Sequence, residues 1–130
     1  MADFGLTEAT KRLFEDLFAE VPEVIGVLLV SADGLPIVHE LKPGINAERI
    51  SAMVATAVNL GKKVSPTVGI GEVGEVTINA SEGNLFLYIV NQSVTLAILT
   101  PNEVNMGMIF FKSAGMVESL KELIKEQESA

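Results

Sequence analysis

Apolar residues occur with two periodicities along the chain, one typical of helices and one typical of strands. Between Thr7 and Glu20, leucine and phenylalanine recur every three or four positions, which predicts an amphipathic helix that ends before Pro22. A continuous apolar run over 24–30 and an alternating run over 35–41 predict two strands. The intervening Asp33-Gly34 predicts a hairpin, because glycine readily adopts positive φ.

The same two periodicities predict the helices and strands of the rest of the chain. They predict a helix from Asn46, its N-cap, to about Lys63, a loop over 65–74, strands over 75–80, 85–91 and 94–100, and a helix over 105–126. The last helix has a predicted apolar stripe of Ile109, Phe110, Val117, Leu120 and Ile124. We therefore predict one α+β domain over residues 1–130, with five antiparallel strands and three helices around one core.

The middle helix is unusual because Ile50 to Gly61, ISAMVATAVNLG, carries no charge. A surface helix normally has a charged outer face, and one that is apolar or small all round is normally buried on two sides. Ile50, Val54, Ala57 and Gly61, with Val64 beyond, form one predicted stripe that Met53 and Leu60 flank. Ala52, Ala55, Thr56 and Val58 are assigned to the other side. A chain of this size supplies few elements to cover both sides, so we predict an interface with a second copy, most simply a C2 homodimer. The alternative is cover by another element of the same chain.

Composition excludes several classes of partner. The formal net charge of -8 repels a phosphate backbone, so no nucleic-acid partner is expected. The chain has no cysteine, and therefore no disulfide or thiolate chemistry. Its first residues lack a signal-peptide pattern and its apolar runs are too short for a bilayer, so we expect a cytoplasmic protein without membrane insertion.

No residue pattern indicates an active site. The glycines of 69–74 match a dinucleotide-binding pattern, but they follow a helix and precede a strand, the reverse of the required order, so we interpret them as a flexible loop. His39, the only histidine, lies beside Glu40 on a predicted edge strand and is interpreted as a surface residue. The glutamates from Glu118 to Glu126 form a solvated helix face rather than a metal site. We expect no enzyme, no catalytic residue, no cofactor and no metal.

Three stretches resemble the roadblock/dynein-light-chain family. They are the hairpin from Gly26 to Ile37, the alanine-rich helix from Ile50 to Leu60, and Leu96 to Leu99 followed by Asn105 to Ile109. The resemblance covers about residues 7–125 and implies a roadblock/profilin-like sandwich, with the middle helix on one face of the sheet and the two terminal helices on the other. It also implies a homodimer in which the middle helices pack together and the third strands pair edge to edge.

The resemblance further implies a binding platform that regulates or scaffolds a Ras-like small GTPase, with GTPase activation as in MglB-like members. The expected dimer-interface residues are Met53, Ala57, Leu60, Val76, Ile78 and Ala80. The expected partner-binding residues, which would rim the paired helices, are Arg49, Thr56, Asn59, Lys62 and Lys63. Arg49 is not expected to act as an arginine finger. The alternatives are a small-ligand-binding sensor domain and a purely structural subunit of a larger complex.

Overall fold

The computed structural model describes residues 4–129 and contains three helices and five strands. In chain order they are α1 (Phe4–Glu20), β1 (Gly26–Ser31), β2 (Pro36–Leu41), α2 (Ala47–Thr67), β3 (Glu75–Asn79), β4 (Gly83–Asn91), β5 (Val94–Pro101) and α3 (Met106–Ser129). The strands form one antiparallel sheet in the order β2-β1-β5-β4-β3, so β2 and β3 are its edges. The predicted fold class is confirmed.

The sheet carries a hydrophobic cluster on each face. Successive residues of a strand point to opposite faces, so Leu29 of β1 belongs to the cluster beneath α1 and α3, whereas Leu28 belongs to the cluster beneath α2. This arrangement explains why the run over 24–30 is apolar without alternation: its central strand is buried on both faces. The predicted placement of the middle helix on one face and the terminal helices on the other is confirmed.

The β1–β2 hairpin turns at Gly34, as the sequence predicts. Gly34 has φ +86°, and the Ser31 Oγ accepts a hydrogen bond from the Leu35 N–H at 3.1 Å. A Cβ at position 34 would also lie 3.2 Å from the Ala52 Cα of α2. The glycine therefore permits both the turn and the close approach of the helix.

Helix α2 extends to Thr67, so the prediction of an end at Lys63 and a loop from Ser65 was wrong. Pro66 lies inside the last turn, on its exposed side, where its missing N–H removes one helical hydrogen bond. The Val64 and Ser65 carbonyls still accept from the Val68 and Ile70 N–H groups, at 3.0 and 3.1 Å. A proline within the last turn is therefore tolerated. The predicted loop is present from the end of α2 to β3, and His39 is exposed on edge strand β2, as interpreted from the sequence.

The terminal helices are longer than predicted. Helix α1 begins at Phe4 rather than Thr7, and α3 extends to Ser129. Asn105 is the cap of α3, and its Oδ1 accepts a hydrogen bond from the Met108 N–H at 3.0 Å. The prediction that Phe110 lies in the apolar stripe was wrong, because the buried face of α3 runs through Ile109, Ser113, Met116, Leu120 and Ile124. Within residues 4–129, no helix is long and apolar enough to cross a bilayer.

Candidate protein interface on α2 and β3

The start of α2 is fixed by Asn46, the predicted N-cap. Its backbone is extended, and its Oδ1 accepts a hydrogen bond from the Arg49 N–H at 3.0 Å. This bond satisfies one of the donors that the first turn of a helix leaves free. It also fixes Arg49 on the first turn.

The face of α2 that packs on the sheet differs from the predicted stripe. Val54 and Val58 are buried against the sheet, whereas Ile50 and Ala57 are only partly buried at the margin. The assignment of Val58 to the outer side was therefore wrong. At 100° per residue, positions 54 and 58 lie within 40° of each other, so Val58 shares the inner face with Val54.

Helix α2 crosses the sheet obliquely from one edge to the other. Its N-terminal half contacts the hairpin at Gly34, while its C-terminal half reaches edge strand β3 through Gly61. A Cβ added at Gly61 would lie 3.0 Å from the Val76 Cγ2. The exposed surface of α2 is therefore next to the exposed edge of the sheet.

Three large apolar side chains of α2 are exposed on one flank. Met53 is 58% exposed, Leu60 62% and Val64 47%. Together with the partly buried Ala57 they are spaced by four, three and four residues, which aligns them along one side of the helix. We call these four residues the apolar row.

The register of β3 adds an exposed apolar residue to this region. Ile78 pairs with Leu85 and Val76 pairs with Leu87, both of which belong to the cluster beneath α2. Directly paired residues project from the same face, so Val76 and Ile78 point towards the α2 side. Ile78 is 44% exposed, whereas Val76 is partly covered by α2 of its own chain.

Because Gly61 lies at Val76, we infer that the flank of α2 that carries the apolar row is directed towards the end of β3 that carries Ile78. The opposite flank of α2 lies at the other end, where Lys62 shares a groove with Asn91 and Gln92. The structure therefore places Met53, Ala57 and Leu60 on the same side as Ile78 and the exposed Ala80. The sequence analysis placed Val64 at the end of the predicted stripe but not among the expected dimer-interface residues, although the spacing of Met53, Ala57 and Leu60 continues to it.

The predicted partner-binding residues are all exposed, but they do not form one ring. Arg49, Thr56 and Lys63 are spaced by seven residues and form a line along the outer crest of α2, with Asn59 beside them. We call these four residues the polar row. Lys62 lies on the other flank, in a groove of about 520 Å³ that also contains Glu72.

The sequence of this region fits a known family. The model of the Roadblock/LC7 domain matches residues 10–100, which include the central helix and all five strands apart from the last residue of β5. The chain belongs to the Roadblock/LC7 domain family.

Relatives of this roadblock chain are distant in sequence and similar in fold. The uncharacterized protein MJ1340 of Methanocaldococcus jannaschii is 26% identical over 96 residues, which cover 74% of this chain and 83% of that protein. Myxococcus xanthus MglB has a TM-score of 0.83 at 16% identity, with 97% of this chain and 99% of that chain covered. A structure of MglB with a tetrameric arrangement has a TM-score of 0.82 at 14% identity, with 92% of this chain and 90% of that chain covered.

The polar row of the roadblock domain differs in charge from the helices on the other face of the sheet. Its charges are the cations Arg49 and Lys63, whereas α1 and α3 together carry eight exposed acidic residues. Among residues 4–129, no three His, Cys, Asp or Glu side chains are grouped as metal ligands would be. α2 and β3 offer apolar contact, an exposed strand edge and a line of polar side chains.

Proposed function

We propose that this roadblock chain is a homodimeric, non-enzymatic binding platform that regulates or scaffolds a Ras-like small GTPase in the cytoplasm. The observation that carries the proposal is the exposed apolar row of α2 next to the edge strand β3. Isolated exposed apolar residues are common on monomers, but an aligned row beside a free strand edge is typical of an interaction surface.

The geometry favours a second copy as the first occupant of this surface. A twofold axis perpendicular to the sheet and beside Ala57 would pack the apolar rows of two copies against each other in antiparallel directions, with Ala57 small enough to allow close approach. Ile78 lies on the same side, so the β3 edges would approach each other as the helices pack. Family resemblance supports this dimer, and the tetrameric arrangement of MglB is consistent with assembly through such a surface.

The polar row supplies the surface for a different partner. Arg49 and Lys63 remain exposed on the outer crest when the flank of α2 is covered. In a twofold dimer the two polar rows would frame one composite surface larger than a single domain offers. The choice of a small GTPase rests on membership of the family, in which MglB-like members activate Ras-like GTPases.

Dimerisation is tested by light scattering on wild type, Leu60→Glu and Leu35→Glu. Leu35 is the matched control, because it is 60% exposed but lies in the β1–β2 hairpin rather than in the apolar row. We expect twice the monomer mass for the wild type and for Leu35→Glu, and the monomer mass for Leu60→Glu, with folded circular dichroism spectra in all three. A dimeric Leu60→Glu, or a monomeric wild type, would overturn the proposed interface.

The partner assignment is tested with Ras-like GTPases of the same genome. Binding is measured by calorimetry with the GTPase in its GDP and GTP-analogue forms, and hydrolysis with and without this chain. Binding with a stimulated rate identifies an activator, and binding at an unchanged rate identifies a scaffold. Absence of binding to every such GTPase would overturn the assignment while leaving the dimer result intact.

A further inference from the structure

The opposite face of the sheet has a groove that the proposed function does not use. It lies between α3 and the β3–β4 edge and has a volume of about 480 Å³. Glu75 and Tyr88 line it from the strands, while Phe110, Val117 and Glu118 line it from α3. These residues combine aromatic, aliphatic and acidic chemistry in one concave surface.

Tyr88 provides a buried polar group at the groove. The residue is 8% exposed, and within residues 4–129 its hydroxyl has no hydrogen-bond partner. The neighbouring Ser113 donates its own hydroxyl proton to the Phe110 carbonyl oxygen at 3.1 Å. A buried hydroxyl without a partner is costly, and a phenol oxygen can accept a hydrogen bond as well as donate one. A ligand that carries N–H donors would satisfy it.

Two carboxylates give the groove a negative potential. Glu75 is directly opposite Tyr88 in the β3–β4 ladder, so both side chains project from the same face of the sheet. The Glu118 carboxylate lies 3.7 Å from the Lys121 ammonium, but this pair is largely exposed and contributes little. Glu118 is therefore available to a cation that enters the groove.

An aromatic ring is fixed beside these acids. Phe110 is 48% exposed, and its ring packs edge-to-face on the buried Phe86, with 6.0 Å between centroids. The contact orients the ring while leaving part of it accessible. Arginine and lysine side chains bind where an aromatic face and carboxylates occur together, because they combine an aliphatic stem with a cationic head.

We infer that this groove binds an arginine or lysine side chain of a partner protein, with Glu75 and Glu118 pairing with the charge and Phe110 contacting the stem. A protein is favoured over a free small cation because the apolar surface continues beyond the groove. Phe111, the next residue, is 75% exposed and borders a second groove of about 530 Å³ between α1 and α3. A peptide segment would cover both phenylalanines, whereas a small cation would cover neither completely.

The site does not depend on the proposed α2 interface. It lies on the other face of the sheet, so each copy in a dimer would present its own groove outwards. Arginine and aromatic residues dominate the binding energy of many protein interfaces, which agrees with this composition. The inference therefore survives if the small-GTPase assignment fails.

The test is a titration of the full chain, labelled with ¹⁵N, with three probes followed by NMR. The probes are acetyl-Leu-Arg-Leu-amide, the same peptide with neutral citrulline in place of arginine, and agmatine. We expect the arginine peptide to shift the amide signals of residues 74–75, 88–89 and 110–118 with saturable millimolar affinity. The citrulline peptide and agmatine should bind at least several-fold more weakly.

Variants assign the contacts within the groove. Glu75→Gln with Glu118→Gln should abolish the shifts, whereas Glu82→Gln with Glu122→Gln, the same change at exposed positions outside the groove, should leave them unchanged. Tyr88→Phe should fold normally and weaken the arginine peptide several-fold. Equal binding of the citrulline peptide would overturn recognition of the charge, and equal binding of agmatine would overturn the assignment to a protein. Absence of shifts in the groove would overturn the site.

Discussion

Gly61 of α2 and Val76 of β3 are packed so closely that a methyl group at position 61 would require the Val76 side chain to move by a few tenths of an ångström. A Cβ there would lie 3.0 Å from the Val76 Cγ2 and 3.4 Å from the Val73 Cγ2. Glycine in a helix interior reduces stability, so its presence here is offset by the close approach that it permits. That approach brings the exposed Leu60 next to the sheet edge.

The first prediction compares two glycines of similar helical setting. Gly115→Ala should raise the free energy of unfolding by about 0.5–1 kcal/mol, because a Cβ at this position of α3 has no atom within 4 Å. Gly61→Ala should not raise the free energy of unfolding, because the higher helix propensity of alanine is offset by the close contact of its Cβ with Val76. Gly61→Leu should lower stability by roughly 1–3 kcal/mol. Urea unfolding measures all three, and an equal gain at both glycines would contradict the close packing.

The second prediction concerns the cap of α2. Asn46→Ala should lower the free energy of unfolding by about 1 kcal/mol, because the Arg49 N–H loses its acceptor. Asn46→Asp should retain most of the stability, since a carboxylate oxygen also accepts this bond. Asn59→Ala, at an exposed position within the same helix, is the control and should change stability by less than about 0.5 kcal/mol. An Asn46→Ala variant as stable as this control would show that the cap contributes nothing.

The third prediction separates the polar row from its neighbour Lys62. In the proposed function, Lys63→Glu should weaken binding of the GTPase about tenfold, or roughly 1.4 kcal/mol, because Lys63 lies on the outer crest of α2. Lys62→Glu makes the same charge change on the other flank and should have little effect. Calorimetry measures the binding, and light scattering should show the same dimer mass for both variants. Equal loss in both would indicate a general charge effect instead of a contact of the row.

The sequence predicts the helices and strands well, because the spacing of their apolar residues shows which of their faces are buried. The unbroken apolar run that includes Leu28 and Leu29 occurs only where both faces of a strand are covered, and the structure covers them with different helices. Asp33-Gly34 and Asn46 are equally informative, since a positive φ and a helix cap each require particular residue types.

The exposed surfaces were harder to predict, because the hydrophobicity of a residue does not show whether its side chain packs on the sheet of its own chain or lies at the surface. Val58 and Leu60 are both apolar, yet one is buried on the sheet and the other is 62% exposed. Phe110 is a residue type that is typical of a core, but it lies about 100° from Ile109 around α3. About half of the Phe110 side chain is therefore accessible. The groove at Tyr88 has no sequence signal, because it arises only when β3, β4 and α3 come together.

The last prediction uses Tyr88, the only tyrosine of the chain, as a probe of its own burial. Burial raises the pKa of its phenol above the ordinary value of 10.0; the nearby Ser113 hydroxyl opposes this rise and the Glu75 carboxylate adds to it. Below pH 10 the phenol is neutral in both the folded and the unfolded chain, so the stability is fully present. Above pH 10 the unfolded chain ionises first, and the free energy of unfolding falls until the folded-state pKa is reached.

Tyr88→Phe should remove this part of the alkaline loss. At neutral pH its free energy of unfolding should equal or exceed that of the wild type by up to about 1 kcal/mol, because the hydroxyl that has no partner among residues 4–129 is deleted. Urea unfolding of both proteins between neutral pH and about pH 11 gives the comparison, and the ultraviolet absorbance of the phenolate gives the folded-state pKa directly. The lysines ionise in the same range but are common to both proteins, so the difference between the two curves isolates Tyr88. If the phenol ionises at its ordinary pKa and the two proteins show parallel pH dependences of the free energy of unfolding, the phenol is solvated. The proposed cation groove would then lack its buried acceptor.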